Sequence, residues 1–218
     1  MLLLLAILPP LLIAYYVYQK DKYDKEPKSL IIKSFFFGCL TVIPVIILEM
    51  YFNKSVFPNL FLYVFFGIAF IEEGVKYIFL KKLLYSRDEF NEPMDGIVYA
   101  VMVSLGFATI ENLAYVYVYN PDQGLTIAFS RMYSAIPLHA FCGIILGYFV
   151  GLAKFNMDSN KLLFKGLFLA VLLHCLYNYY ILAGDSFLFS ILSLIAAGYF
   201  SNKAINMLQY DSKKRNQL

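Results

Sequence analysis

Glu72-Glu73-Gly74-Val75-Lys76 sets two adjacent carboxylates and an ammonium inside an apolar stretch. On a helix, Glu72 and Lys76 are i and i+4, and Glu73 and Lys76 are i and i+3, so the ammonium reaches either carboxylate on one face. Further along, Glu111-Asn112, His139 behind Pro137, and His174 with Asn178 four residues on also interrupt apolar runs. A carboxylate pair with two histidines suits activation of a water molecule and stabilisation of an oxyanion, the needs of peptide-bond hydrolysis. Glu72 or Glu73 would take a proton from water. His139, His174 and Asn178 would orient that water or donate to the developing oxyanion. Two histidines and a glutamate would equally suit zinc, although the helix-borne H-E-x-x-H spacing is absent. Serine chemistry lacks a G-x-S-x-G.

Positioning these groups falls to a membrane. Hydrophobic residues make up 61% of the 218-residue chain and charged ones 15%; mean hydropathy is +0.65. That apolar share exceeds the norm for a soluble domain. The apolar runs approach the roughly 20 residues that cross a bilayer as helix, and no run between them is long enough for a soluble domain. The expected architecture is an all-α, polytopic bundle of about seven transmembrane helices forming one integral-membrane domain over 1–218.

The spans are expected at about 1–18, 30–52, 60–80, 96–119, 130–153, 162–183 and a last one ending near Ser201. The first lacks a basic leading region and a small-residue cleavage pattern, so it reads as an anchor, with Pro9-Pro10 expected to kink it. Pro137 leaves the carbonyl of Tyr133 without its helical donor. Asn120-Pro121-Asp122-Gln123-Gly124 and Gly184-Asp185-Ser186 are turn signals. Cys39, Cys142 and Cys175 lie in apolar runs and are odd in number, which favours buried thiols over a disulfide framework.

Lys and Arg concentrate in the first, third and fifth loops and in the Lys213-Lys214-Arg215 tail. By the positive-inside rule the N-terminus is outside and the C-terminus cytoplasmic. Counted at the helical rise per residue, Glu72, Glu111, His139 and His174 then lie roughly 12–17 Å below the outer surface. Four spans thus offer polar groups at one depth. Each ionisable residue near a helix centre costs about 2.5–3.5 kcal/mol on insertion scales, so Glu72, Glu73, Lys76 and Glu111 must pair, neutralise or meet trapped water. The non-enzyme alternatives are a buried ion pair that only fixes packing and a proton- or ion-coupled carrier, although no internal repeat is visible. Arg131 and Glu49 read as interfacial, and Asp95 as a helix N-terminal carboxylate.

Glu72-Glu73-x-x-Lys76, Asp95-Gly96-Ile97-Val98-Tyr99, Leu105-Gly106-Phe107-Ala108-x-x-Glu111-Asn112, Pro137-Leu138-His139-Ala140 and His174-x-x-x-Asn178 together resemble the PrsW family of intramembrane proteases of glutamic type. The likeness runs over most of the chain and rests on several motifs in the same order. That family is in turn distantly similar to the CAAX prenyl endopeptidases and bacteriocin-immunity proteases, with their E-E-x-x-x-R, F-x-x-x-H and H-x-x-x-N; the enzyme alternative is a CAAX-like or bacteriocin-immunity membrane protease. Lys76 stands one residue earlier than that Arg and Ala135 replaces that Phe, which counts against prenylated substrates. The resemblance implies Glu72, Glu73, His139 and His174 as catalytic residues, supported by Asn178, Glu111, Asn112 and Lys76. It further implies no metal or other cofactor, residence in the bacterial cytoplasmic membrane, and site-1 cleavage of a single-pass anti-sigma factor on its extracytoplasmic side. The partners expected are that substrate and the lipid bilayer, not nucleic acid.

Overall fold

The computed structural model describes residues 1–184 and 187–215, in which helices are joined by short connections. Asp185 and Ser186, part of an expected turn, lie outside the described residues. α1 is Leu2–Lys20 and continues through Pro9 and Pro10. α2 is Lys28–Tyr51. α3 runs over 60–83, starting as an α-helical turn at Leu60–Leu62, widening to a π-helix at Tyr63–Ala69, and tightening again at Phe70–Leu83. The Asn59 side chain caps it by accepting from the Leu62 amide at 3.1 Å. α4 is Pro93–Tyr119, whose last turn, Tyr115–Tyr119, is again π-helical. α5 (Gly124–Tyr133), α6 (Ala135–Lys154), α7 (Ser159–Ala183) and α8 (Phe187–Arg215) complete the chain.

Among the described residues, α1, α2, α4, the α5–α6 stretch, α7 and α8 are long and apolar enough to cross a membrane. The chain is therefore a multi-pass membrane protein. α3, the remaining expected span, is as long as α2, but Glu72, Glu73 and Lys76 make it too charged to qualify by composition.

α4 is the axis of the bundle, buried almost without interruption from Pro93 to Thr109 and packed chiefly on α6 and α2. Its polar N-terminus is closed by a capping box, in which Asp95 Oδ2 accepts from the amides of Asn91 and Glu92, each at 2.7 Å. In lipid there is no hydrophobic drive between apolar helices, so close packing of small residues holds them. Gly143, Gly147 and Gly151 recur every fourth residue along α6 and lie directly on the backbone of α4; a Cβ at Gly147 would collide with Gly96, and one at Gly151 with Pro93. On the other side, Gly38 of α2 lies against Val103, and Gly106 of α4 against Phe35.

Two boundaries differ from expectation. The helix expected to begin near Ser130 is broken at Ser134, with φ −129° and ψ −76°, so α5 and α6 are separate helices. Pro137 has no amide for the Tyr133 carbonyl and is accommodated in the first turn of α6, where a missing donor matters least. The final helix does not stop near Ser201 but continues to Arg215, because Ile205 and Leu208 join the core beneath α1 and α4. Cys39, Cys142 and Cys175 are free thiols.

Candidate active site

Glu72 and Glu73 lie just past the point where α3 returns from π to α geometry. π segments widen a helix by one residue and so reset which side chains face inward beyond them. Lys76, one turn further, folds back over both carboxylates, its Nζ donating to Glu72 Oε2 at 3.2 Å and to Glu73 Oε1 at 2.9 Å. All three side chains are buried. The pair is not equivalent: Glu72 forms part of the wall of an open cavity of about 430 Å³, whereas Glu73 sits behind it against Lys76 and α4.

From α7, His174 Nδ1 stands 2.8 Å from Glu73 Oε1, and its Nε2 stands 3.9 Å from Glu72 Oε1. A carboxylate only accepts, so Nδ1 carries a hydrogen toward Glu73, and Nε2 faces Glu72. From α6, His139 Nδ1 is 3.2 Å from Lys76 Nζ and its Nε2 is 3.0 Å from Glu111 Oε2. The ammonium can only donate, which fixes the hydrogen on Nε2, pointing at Glu111. The His139 backbone is held by Ser104 of α4, whose hydroxyl donates to the His139 carbonyl at 2.6 Å. The imidazoles of His139 and His174 meet edge to face with centroids 5.3 Å apart. Asn178, one turn beyond His174, contributes to the cavity wall.

The four proposed catalytic residues thus converge, and Lys76, Glu111 and Asn178 lie with them. Asn112 has a different place: its Nδ2 donates to the Ala6 carbonyl of α1 at 2.8 Å, while its Oδ1 accepts from Arg131 Nε at 2.8 Å. Arg131, expected only as an interfacial residue, is turned inward, pairing with Glu111 and lying 4.0 Å over the Tyr115 ring. The break at Ser134 frees α5 to lean over the cavity and bring it there. Glu49 is half-buried in the cavity wall. One signal in the sequence called for such a partner without singling out Arg131: Glu111 has no basic residue three or four positions away on its own helix, so a counter-charge had to come from another.

A profile of the "PrsW family intramembrane metalloprotease" matches residues 26–201. The chain belongs to the PrsW family. Protease PrsW of Shouchella clausii is 37% identical over 180 residues, covering 82% of each chain. Protease PrsW of Bacillus subtilis is 32% identical over 213 residues, covering 93% of this chain and 96% of the relative. Protease PrsW of Clostridioides difficile is 36% identical over 185 residues, covering 82% and 78%. No solved structure matches the chain. This PrsW-family chain is a membrane-embedded peptidase, consistent with residence in the bacterial cytoplasmic membrane.

The family description names a metal, and the donors must be weighed for one. Glu72, Glu73, His139 and His174 each bring a ligand atom within 4.8 Å of the others, and two imidazoles with carboxylates are a zinc-type set. Glu73 Oε2 is buried without a hydrogen-bond partner and Glu72 Oε1 is 3.9 Å from His174 Nε2, but the other lone pairs of the set are engaged. His139 Nδ1 faces Lys76, Glu73 Oε1 accepts from both Lys76 and His174, and Glu72 Oε2 accepts from Lys76. A divalent ion needs donors at about 2.0–2.2 Å and would share this buried space with a fixed positive charge. With Lys76 where it is, the four residues do not fit one metal ion together, since His139 Nδ1 and one oxygen of each glutamate already accept from its ammonium.

Proposed function

We propose that the chain cleaves a single-pass membrane protein, of the anti-sigma-factor class, by glutamate-activated water near the extracytoplasmic face, as the first cut of a signalling cascade. The observation that carries the mechanism is the asymmetry of the carboxylate pair: Glu72 faces the cavity while Glu73 is enclosed behind it. The 3.9 Å between Glu72 Oε1 and His174 Nε2 is too long for a hydrogen bond and suits a water held by both. Glu72 takes a proton from that water as its oxygen bonds to the scissile carbonyl carbon. The role of donor to the developing oxyanion is assigned to the Asn178 amide, which lines the same cavity. Protonated Glu72 then gives its proton to the amide nitrogen as the C–N bond breaks, leaving an amine and a carboxylic acid.

The remaining residues hold this pair ready. Glu73 orients His174, Lys76 neutralises Glu73 and braces His139, and Glu111 with Arg131 fixes His139 from its other side. With the C-terminus cytoplasmic, as the positive-inside rule favours, the site falls in the outer half of the membrane, where a cut would release an extracytoplasmic segment.

The test uses purified protein in liposomes with a candidate single-pass substrate. Glu72→Gln should slow cleavage roughly 100- to 10,000-fold, the usual worth of a general base, and His174→Ala and Glu73→Ala should each abolish it. Full activity in all three variants would end the assignment.

A further inference from the structure

We infer that Lys76 is the resident cation of this active site, standing where a metal ion would otherwise bind, and that removing its charge converts the Glu72–Glu73–His139–His174 quartet into a metal site. The inference rests on the glutamate-water reading above and specifies what holds that centre together.

An ammonium has three hydrogens to donate. Those of Lys76 have three acceptors within reach, Glu72 Oε2 at 3.2 Å, Glu73 Oε1 at 2.9 Å and His139 Nδ1 at 3.2 Å. Its open side is covered by the Phe107 ring, whose centroid lies 3.9 Å from Nζ. The charge is therefore buried with its hydrogen-bonding capacity filled and an aromatic face against it, which offsets the cost of taking it out of water. Three of the four side chains able to ligate a metal are held by this one nitrogen. The i−4 and i−3 spacing to Glu72 and Glu73 places it there by the geometry of a single helix, before any other helix packs.

What a catalytic metal would contribute as a fixed positive charge, Lys76 contributes without occupying the cavity. It keeps two neighbouring carboxylates together, and by taking the His139 Nδ1 lone pair it sets the tautomer whose Nε2 hydrogen engages Glu111. Lys76 is a positioning residue, because it acts on substrate only through Glu72, Glu73 and His139. In a Lys76→Gln variant the charge is gone, His139 Nδ1 is free to ligate, and the two carboxylates have lost their counter-charge. Each change favours a divalent ion.

Metal binding is read separately from cleavage, so failure of this inference is distinguishable from failure of the protease assignment. Detergent-purified wild-type protein and Lys76→Gln are each dialysed against chelator and titrated with Co(II), whose visible absorption reports imidazole and carboxylate ligation, with bound metal counted by mass spectrometry. The expected result is no stoichiometric Co(II) in the wild type, unchanged wild-type cleavage after chelation, and one equivalent in Lys76→Gln, lost again in Lys76→Gln/His139→Ala. Stoichiometric metal in the wild type, or chelator-sensitive wild-type cleavage restored by zinc, overturns the inference. A folded Lys76→Gln that takes up no metal also overturns it. Should that variant not fold, the wild-type titration and chelation decide alone.

Discussion

At the scale of single residues, the site is two glutamate–histidine pairs joined by a lysine: Glu73 with His174, Glu111 with His139, and Lys76 between them. Arg131 closes the chain through Glu111 and Asn112. Removing one partner of an enclosed ion pair leaves an uncompensated charge and costs about 3–5 kcal/mol when burial is complete. Arg131 and Glu111 keep 12% and 19% of their side chains exposed, so the penalty is smaller here. Arg131→Gln is expected to slow cleavage, with the effect in kcat because Glu111 then leaves His139 misaligned. Adding Glu111→Gln to it should cost less than the two single changes summed, as residues in one network do. Additive losses in a double-mutant cycle would show that Arg131 acts elsewhere. The Lys76, Glu72 and Glu73 relation was legible from spacing alone, since one helix fixes it. Arg131 was not, because twenty residues and a helix break separate it from its partner.

At the scale of helices, the site depends on how closely α4 and α6 approach. His139 is carried by α6, and Gly143, Gly147 and Gly151 keep that helix against α4 with no side chain between. Gly147→Val forces the helices apart. Overpacking in a tight interface costs typically about 1–3 kcal/mol, and a backbone collision with Gly96 leaves little room to relax. A fall in the thermal midpoint together with lost cleavage is expected, against Gly74→Ala as a control, since nothing lies within 4 Å of a Cβ there. An unchanged midpoint in Gly147→Val would refute the close-packing account. The π segments at Tyr63–Ala69 and Tyr115–Tyr119 flank Glu72-Glu73 and Glu111-Asn112, so both carboxylate-bearing helices change register beside the residues they present. No pattern in the sequence marked them, because π geometry arises from neighbours packing rather than from propensity.

At the scale of the molecule, a second polar cluster lies away from the active site, where the α1–α2 connection meets α4 and α8. Asp21 and Glu26 are buried there with Glu92 and Asp95; Asp21 Oδ2 accepts from the Glu26 amide at 3.2 Å, Tyr99 donates to Glu26, and Ser212 of α8 donates to Glu92 at 2.9 Å. Burial pushes Asp21 from 3.8 up to about 7 and Glu26 from 4.5 up to about 7, and raises Glu92 as well. A raised carboxyl holds its proton in the folded state after the unfolded chain has released it. The stabilisation is therefore full below about pH 4 and declines as pH rises toward about 7. The thermal midpoint in detergent should fall across that window, and Asp21→Asn with Glu26→Gln should flatten the profile. A midpoint that rises with pH would contradict this account.

The sequence by itself determined that the chain crosses a membrane many times, that Glu72, Glu73 and Lys76 share a helix face, and that His139, His174 and Glu111 need partners inside the bundle. These follow from local quantities: hydropathy over a span, periodicity along one helix, and the cost of charge in lipid. Tertiary structure decided which carboxylate faces the cavity, which partner each histidine nitrogen meets, that Arg131 and Glu49 belong to the site wall, and that three of the four metal-type residues meet one ammonium. Each depends on distances between helices, and in an apolar bundle those are set by where small residues let backbones touch, a choice that no single helix contains.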